Sequence, residues 1–157
     1  MKRILCEIEK CLACRSCELA CAAAHTVSKV LAQAILQGEI PRPRVHVQLI
    51  DDNGTLHRVR AIAVRCRYCE EPSCAAACIS GAIRRNSENG EILINLERCV
   101  GCWSCIMVCP IGAITRSEET HRILKCDYCP DLETPACVAA CPTRALILVE
   151  QAETEET

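Results

Sequence analysis

Residues 99–110 read Cys-Val-Gly-Cys-Trp-Ser-Cys-Ile-Met-Val-Cys-Pro, four cysteines spaced C-x2-C-x2-C-x3-C and closed by Pro110. The same spacing stands at Cys11, Cys14, Cys17 and Cys21. Two further groups, Cys66, Cys69, Cys74, Cys78 and Cys126, Cys129, Cys137, Cys141 followed by Pro142, differ by a longer loop before the third cysteine. Such an insertion costs little closure entropy. Groups one and three share a serine before the third cysteine, Ser16 and Ser104. Groups two and four share Cys-x-Tyr-Cys through Tyr68 and Tyr128 and Pro-x-Cys through Pro72 and Pro135. Gly81-Ala82-Ile83 and Gly112-Ala113-Ile114 repeat one turn into a strand after the last cysteine. A first-type group followed by a second-type group occurs twice, so the chain reads as a duplicated half.

The composition agrees with a scaffold built on sulfur. Seventeen of 157 residues are cysteine, above the roughly one in ten at which cysteine becomes the framework. There is no Phe, one Trp (Trp103) and two Tyr, so the side chains that usually dominate core burial are missing. Bound inorganic centres would supply what hydrocarbon does not. Disulfides and thiolate ligands compete for so many cysteines. Met1 to Leu5 runs straight into Cys6 and Glu7 without an apolar leader or a small-residue cleavage site, so a cytoplasmic, reducing location and thiolate ligation are expected. The apolar stretches 61–64 and 145–149 are strand-sized, and any membrane link is expected to come through a partner.

The spacing has a chemical reason. Three thiolates on a tight loop reach three iron corners of a cubane cluster. The fourth corner faces away and, in two-cluster ferredoxins, takes the last cysteine of the other run. With all four groups, the sequence resembles the ferredoxin-like electron-transfer subunits that carry four 4Fe-4S clusters. These include small subunits of molybdenum and tungsten pterin oxidoreductases (formate dehydrogenase, dimethyl sulfoxide reductase, tungsten aldehyde oxidoreductase) and the iron-sulfur partners of carbon monoxide dehydrogenase and some hydrogenases. The resemblance covers Cys11 to Pro142. It implies that outer groups pair with each other and inner groups with each other. One outer cluster would take Cys11, Cys14, Cys17 and Cys141, the other Cys126, Cys129, Cys137 and Cys21. The inner clusters would take Cys66, Cys69, Cys74 with Cys109, and Cys99, Cys102, Cys105 with Cys78. Ile79 follows Cys78 where a proline is common, and no anchoring extension follows Pro142, which argues for a soluble complex.

The expected fold is α+β, a duplicated bacterial-ferredoxin-like arrangement of short strands and helices around four clusters. Residues 1–149 form the four-cluster domain, with the inner pair at about 60–115, the outer pair from 1–25 with 120–149, and a linking helix and hairpin at 22–64; 150–157 is an acidic mobile tail. A helix is expected over 22–37, stopped by Gly38 and followed by Pro41 and Pro43, its apolar face shielding an outer cluster. A hairpin runs 44–50 and 55–64 around a turn at Asp51-Asp52-Asn53-Gly54. Strands are expected at 3–8, 91–95, 123–125 and 145–149, and a short helix where three residues separate the third and fourth cysteines.

The formal charge is -2. Each oxidised cluster sets four thiolates against a +2 core, so the loaded protein stands near about -10, which disfavours nucleic acid as a partner. Arg15, Arg67 and Arg84 stand near ligands in sequence, either as solvated arginines or as charges that raise a local potential. His25, His46, His57 and His121 are scattered, none at ligand spacing with a cysteine group. Cys6 reads as a packed free thiol. No catalytic triad, phosphate loop or flavin fingerprint is present, so the protein is expected to relay single electrons rather than act as an enzyme. A tungsten or molybdenum pterin enzyme such as aldehyde oxidoreductase, or carbon monoxide dehydrogenase, would be the donor in anaerobic metabolism. A flavoprotein or hydrogenase would be the acceptor, and head-to-tail self-association is compatible with clusters near two surfaces. The alternative is a structural zinc-binding interaction module, against which stands the x3 spacing of the last two cysteines in every group, since zinc sites favour separated C-x2-C pairs.

Overall fold

The structure is a computed structural model that describes residues 2–51 and 59–150. In chain order it contains β1 (Lys2–Cys6), a 3-10 turn (Ile8–Lys10), α1 (Ser16–Ala24), α2 (Leu31–Leu36), β2 (His46–Asp51), β3 (Val59–Val64), α3 (Ser73–Ala76), β4 (Ile83–Arg85), β5 (Ile92–Ile94), α4 (Ser104–Met107), β6 (Ile114–Ser117), β7 (Arg122–Lys125), α5 (Ala136–Ala139) and β8 (Leu146–Glu150). This is an α+β fold of short elements. Its strands form four antiparallel two-stranded ladders, β1 with β8, β2 with β3, β4 with β5 and β6 with β7. Alternation explains the short strands: Ile4 turns inward while Leu5 faces solvent, and Ile83 is buried while Arg84 and Arg85 are exposed.

The β1–β8 ladder, with Ile4 opposite Leu148, ties the two ends of the chain together and carries groups one and four to one place. Glu150 is the last residue of β8, opposite Lys2, so the strand takes in the first residue of the expected acidic tail. Residues 151–157 and the expected turn at 52–54 lie outside the described residues.

The helix expected over 22–37 is two helices. α1 starts six residues earlier, at Ser16, and ends at Ala24, where the Thr26 hydroxyl donates to the Ala23 carbonyl at 2.8 Å. Lys29 then takes a left-handed conformation, and α2 resumes at Leu31 with Ala34 fully buried. The early start places Cys17 and Cys21 one turn apart on the buried face of α1. α3, α4 and α5 are single turns that contain the third cysteine of their group and stop before the fourth.

Two buried cores form among the described residues. The outer one joins Ile4, Val45, Val47, Ala61, Ala63 and Leu146 to Cys17, Cys21 and Cys137. The inner one joins Ile83, Ile92, Ile114, Ile123 and Tyr68 to Cys66, Cys105 and Cys126. Tyr128 packs against both. Among the described residues no helix is long and apolar enough to cross a membrane.

Candidate metal centres

Each cysteine group is bent the same way. The residue before the second cysteine has a positive φ in all four, 54° at Ala13, 51° at Tyr68, 66° at Gly101 and 63° at Tyr128. For an L residue that conformation costs roughly 1–2 kcal/mol, and it persists where the surroundings demand it. Here it curls the chain so that neighbouring thiols converge. At Gly101 a side chain is also excluded by space, because a Cβ would fall on the His121 carbonyl oxygen. Gly101→Ala should therefore disrupt the loop of group three, lowering iron in purified protein by about a quarter if that loop holds one of four clusters. Iron equal to that of the unsubstituted protein would count against it.

The tertiary structure brings three cysteines of one group to the last cysteine of another. Cys66, Cys69, Cys74 and Cys109 line one cleft beside Pro110. Cys11, Cys14, Cys17 and Cys141 line another beside Pro142. Cys105 lies within electrostatic reach of Cys99 and Cys102, and Cys102 of Cys78. Cys137 lies in the same way beside Cys126, Cys21 and Cys129. Contacts of α1 with α5 and of α3 with α4 produce these meetings.

The thiols differ in a patterned way. Burial pushes Cys17 and Cys105 up to about 11 and Cys126 and Cys137 up to about 12. As free thiols they stay protonated at neutral pH, and a bound metal is what makes thiolates of them. Cys14 and Cys102 are exposed, and the Ser16 and Ser104 hydroxyls hold them below the ordinary thiol value. At the fourth cysteines burial acts upward on Cys78 and Cys141, but the N–H groups of the following turn and the Ser80 and Thr143 hydroxyls bring both below the usual range. The Ala145 N–H donates to Cys141 Sγ at 3.2 Å, Ala113 to Cys109 Sγ at 3.3 Å and Arg44 to Cys21 Sγ at 3.2 Å. Four-sulfur sets surrounded by N–H donors fit an iron-sulfur cluster, whose negative charge such donors disperse.

The groups follow one another in space. Tyr68 and Tyr128 stack with centroids 4.6 Å apart, and Tyr128 Oη donates to the Cys66 carbonyl at 3.4 Å. Group two therefore abuts group four, α5 of group four meets α1 of group one, and α3 of group two meets α4 of group three. The order is one, four, two, three. The set around Cys137 is buried at all four cysteines, whereas Cys14, Cys69 and Cys102 are exposed.

Sequence reasoning missed a polar cluster beside the buried set. His25 Nδ1 lies 3.7 Å from Cys21 Sγ and 2.7 Å from the Cys21 carbonyl, and its Nε2 lies 3.1 Å from Asp127 Oδ1. Arg44 pairs with the other oxygen of Asp127, and ligand atoms of His25, Asp127 and Cys129 lie within 4.8 Å of one another. Burial acts downward on His25, but Asp127 and Cys21 outweigh it and raise it to about 9. The signal was present as the i, i+4 relation of Cys21 on α1 and His25 directly after it. Arg15, Arg67 and Arg84 are exposed, and Arg15 lies 3.9 Å from Glu18.

Cys6, half-buried in β1, lines the cavity of the Cys11 set, and burial pushes its thiol up. Cys11, Cys14, Cys17 and Cys141 already give that cavity four sulfurs. Cys6→Ala should keep the full iron content and visible spectrum. Loss of iron would make Cys6 a ligand.

Residues 58–151 match the family model of the 4Fe-4S dicluster domain. The chain is 35% identical to the electron transport protein HydN of Escherichia coli K12, over 98% of this chain and 90% of that protein. It is 32% identical to one polypeptide of the anaerobic dimethyl sulfoxide reductase of the same organism, over 87% of this chain and 67% of that one. Among solved structures, a polypeptide of the active site complex BamBC of benzoyl coenzyme A reductase with benzoyl-CoA superposes with a TM-score of 0.51 at 22% identity. It covers 99% of this chain and 83% of that one, a likeness of fold.

Proposed function

The chain belongs to the 4Fe-4S dicluster domain family, and from that premise we propose a four-step wire whose ligand sets are Cys11/Cys14/Cys17/Cys141, Cys126/Cys129/Cys137/Cys21, Cys66/Cys69/Cys74/Cys109 and Cys99/Cys102/Cys105/Cys78. The protein is an electron-transfer protein carrying 4Fe-4S clusters and not a catalytic subunit. A bound 4Fe-4S cluster accepts and donates one electron at a time. The chain's residues do the rest. The cysteine loops fix the sulfur positions, the stacked tyrosines keep water from between groups two and four, and N–H groups stabilise negative charge on the fourth cysteines.

The observation that carries this reading is the meeting of each set of three thiols with a fourth from a distant group. The repeat of loop, single helical turn and ladder in both halves supports a duplicated ferredoxin-like unit. Groups one and three lie at the ends of the order, and their exposed Cys14 and Cys102 neighbour the exposed apolar side chains Leu12, Val100 and Met107. These ends are the docking points in the proposal. One receives electrons from a catalytic oxidoreductase subunit, a tungsten or molybdenum pterin enzyme or carbon monoxide dehydrogenase. The other delivers them to a flavoprotein or hydrogenase, in the cytoplasm. The kinship with a polypeptide of a reductase supports a catalytic partner.

The test is iron and acid-labile sulfide per chain on anaerobically purified protein, with zinc assayed alongside and spectra before and after dithionite. About sixteen of each with bleachable absorbance is expected from four clusters. Zinc at about one per group without sulfide would overturn the relay in favour of a structural module.

A further inference from the structure

The two second-type groups are each preceded by a basic residue, Arg65 before Cys66 and Lys125 before Cys126. Both are buried, at 5% and 4% exposure. Arg65 donates to the Ala63 carbonyl at 3.3 Å, and its Nε has no hydrogen-bond partner. Lys125 Nζ donates to the Cys126 carbonyl at 2.8 Å and lies 4.3 Å from the centre of the Tyr68 ring. Among the described residues neither has a carboxylate within ion-pair distance. The other charges nearby balance in part, since Arg44 and His25 share Asp127. A buried cation without a counter-charge is strongly disfavoured, so something at these positions must supply negative charge.

Both cations sit against the thiol sets. Lys125 Nζ is held on the carbonyl of Cys126 and over the ring of Tyr68, which stands between Cys66 and Cys69 in the chain, and Arg65 is held on the carbonyl of Ala63, which packs in one core with Cys21 and Cys137. Cys126 and Cys137 belong to the one set whose four cysteines are all buried. A loaded set carries about two negative charges, four thiolates against a +2 core, and reduction adds a third. Building on the ligand sets above, we propose that Arg65 and Lys125 are built-in counter-charges of the centre held by Cys21, Cys126, Cys129 and Cys137 and raise its reduction potential, Lys125 doing the same for the centre held by Cys66, Cys69, Cys74 and Cys109. Water cannot screen them there, which makes a single charge effective at this site and weak at exposed Arg15, Arg67 or Arg84. The two cations make reduction possible at a site where burial alone would oppose added negative charge.

The experiment is a redox titration followed by electron paramagnetic resonance on the holoproteins Lys125→Gln and Arg65→Gln, with Lys125→Arg and Arg65→Lys as charge-keeping partners. One and the same signal should move to more negative potential in both glutamine variants. The expected shift is about a tenfold change in the oxidised-to-reduced ratio at fixed ambient potential, about 59 mV for one electron. Lys125→Gln should move a second signal, at least one signal should keep its midpoint, and the charge-keeping variants should stay near the unsubstituted protein. Loss of iron from the glutamine variants alone would be the same result in stronger form. Unmoved midpoints, equal shifts of all signals, or equal iron loss from the charge-keeping variants would overturn the proposal. Iron and sulfide on the same samples separate the two possible failures. Unsubstituted protein short of four clusters refutes the ligand sets, whereas four clusters with unmoved midpoints refutes the counter-charges alone.

Discussion

Stripping the iron from this protein should unfold it. The large aliphatic side chains buried among the described residues are few, Ile4, Ile83, Ile92, Ile114, Ile123 and Leu146 at the level of leucine and isoleucine, and the rest of the buried apolar surface is valine, alanine, Tyr68 and cysteine. Both cores count cysteines among their buried members. Without clusters those thiols face one another across cavities, and cavity walls lose their packing partners outright. The single-turn helices α3, α4 and α5 are far below the length at which a helix holds itself, and the ladders have two strands each. Metal binding is then the main source of folding energy, as in other small metal-held domains. Circular dichroism and thermal unfolding before and after anaerobic chelation measure this. The expected result is loss of the cooperative transition with loss of iron. A chelated protein that keeps its transition would show that the apolar core suffices.

The second large effect separates buried from exposed cysteines. Cys137→Ala removes a sulfur that is 4% exposed and that faces Cys126, Cys21 and Cys129 from α5. It should remove one cluster, about four irons of sixteen. It also opens space in the outer core, where a cavity of that kind costs about 2 kcal/mol; with the lost cluster's contribution added, Tm should fall by more than about 4–8 °C. Cys14→Ser changes an exposed position already hydrogen-bonded to Ser16, where solvent accepts the altered ligand. It should alter the spectrum and midpoint of one cluster while Tm falls by less than about 2 °C. Equal iron loss and equal Tm changes in the two variants would show that burial of the set does not govern its contribution to the fold.

Much of this is legible in the chain because ligand chemistry is local. A cubane needs three thiolates from one tight loop, so the spacing of Cys99, Cys102 and Cys105 announces itself over seven residues, and the matching turns at Gly81 and Gly112 mark where each loop enters a strand. The strands β1, β5, β7 and β8 follow from alternation and from the short distance between ligand loops. The break in the helix expected over 22–37 falls at His25-Thr26-Val27-Ser28-Lys29-Val30, mostly weak helix formers that the alanines and leucines on either side mask when the stretch is averaged, while the Thr26 hydroxyl that ends α1 acts through one hydrogen bond that propensity does not weigh. The start of α1 at Ser16 is hidden for a related reason, since a ligand loop and a helical turn coincide there.

What lies beyond the sequence is long-range. Whether Cys137 meets Cys21 depends on α5 packing against α1, more than a hundred residues apart, and no local pattern encodes that contact. The same holds for the sets that Cys141, Cys109 and Cys78 complete. Burial of charge is likewise a property of the whole fold: Arg67 and Arg65 are two residues apart, yet the bend of the ligand loop leaves the first in solvent and turns the second into the core. The spacing of sixteen cysteines names the chemistry, because coordination is a short-range demand. Which thiols share a centre, and which cations those centres feel, is decided by packing, because electrostatics in a dry interior acts between groups the chain brings together only when folded.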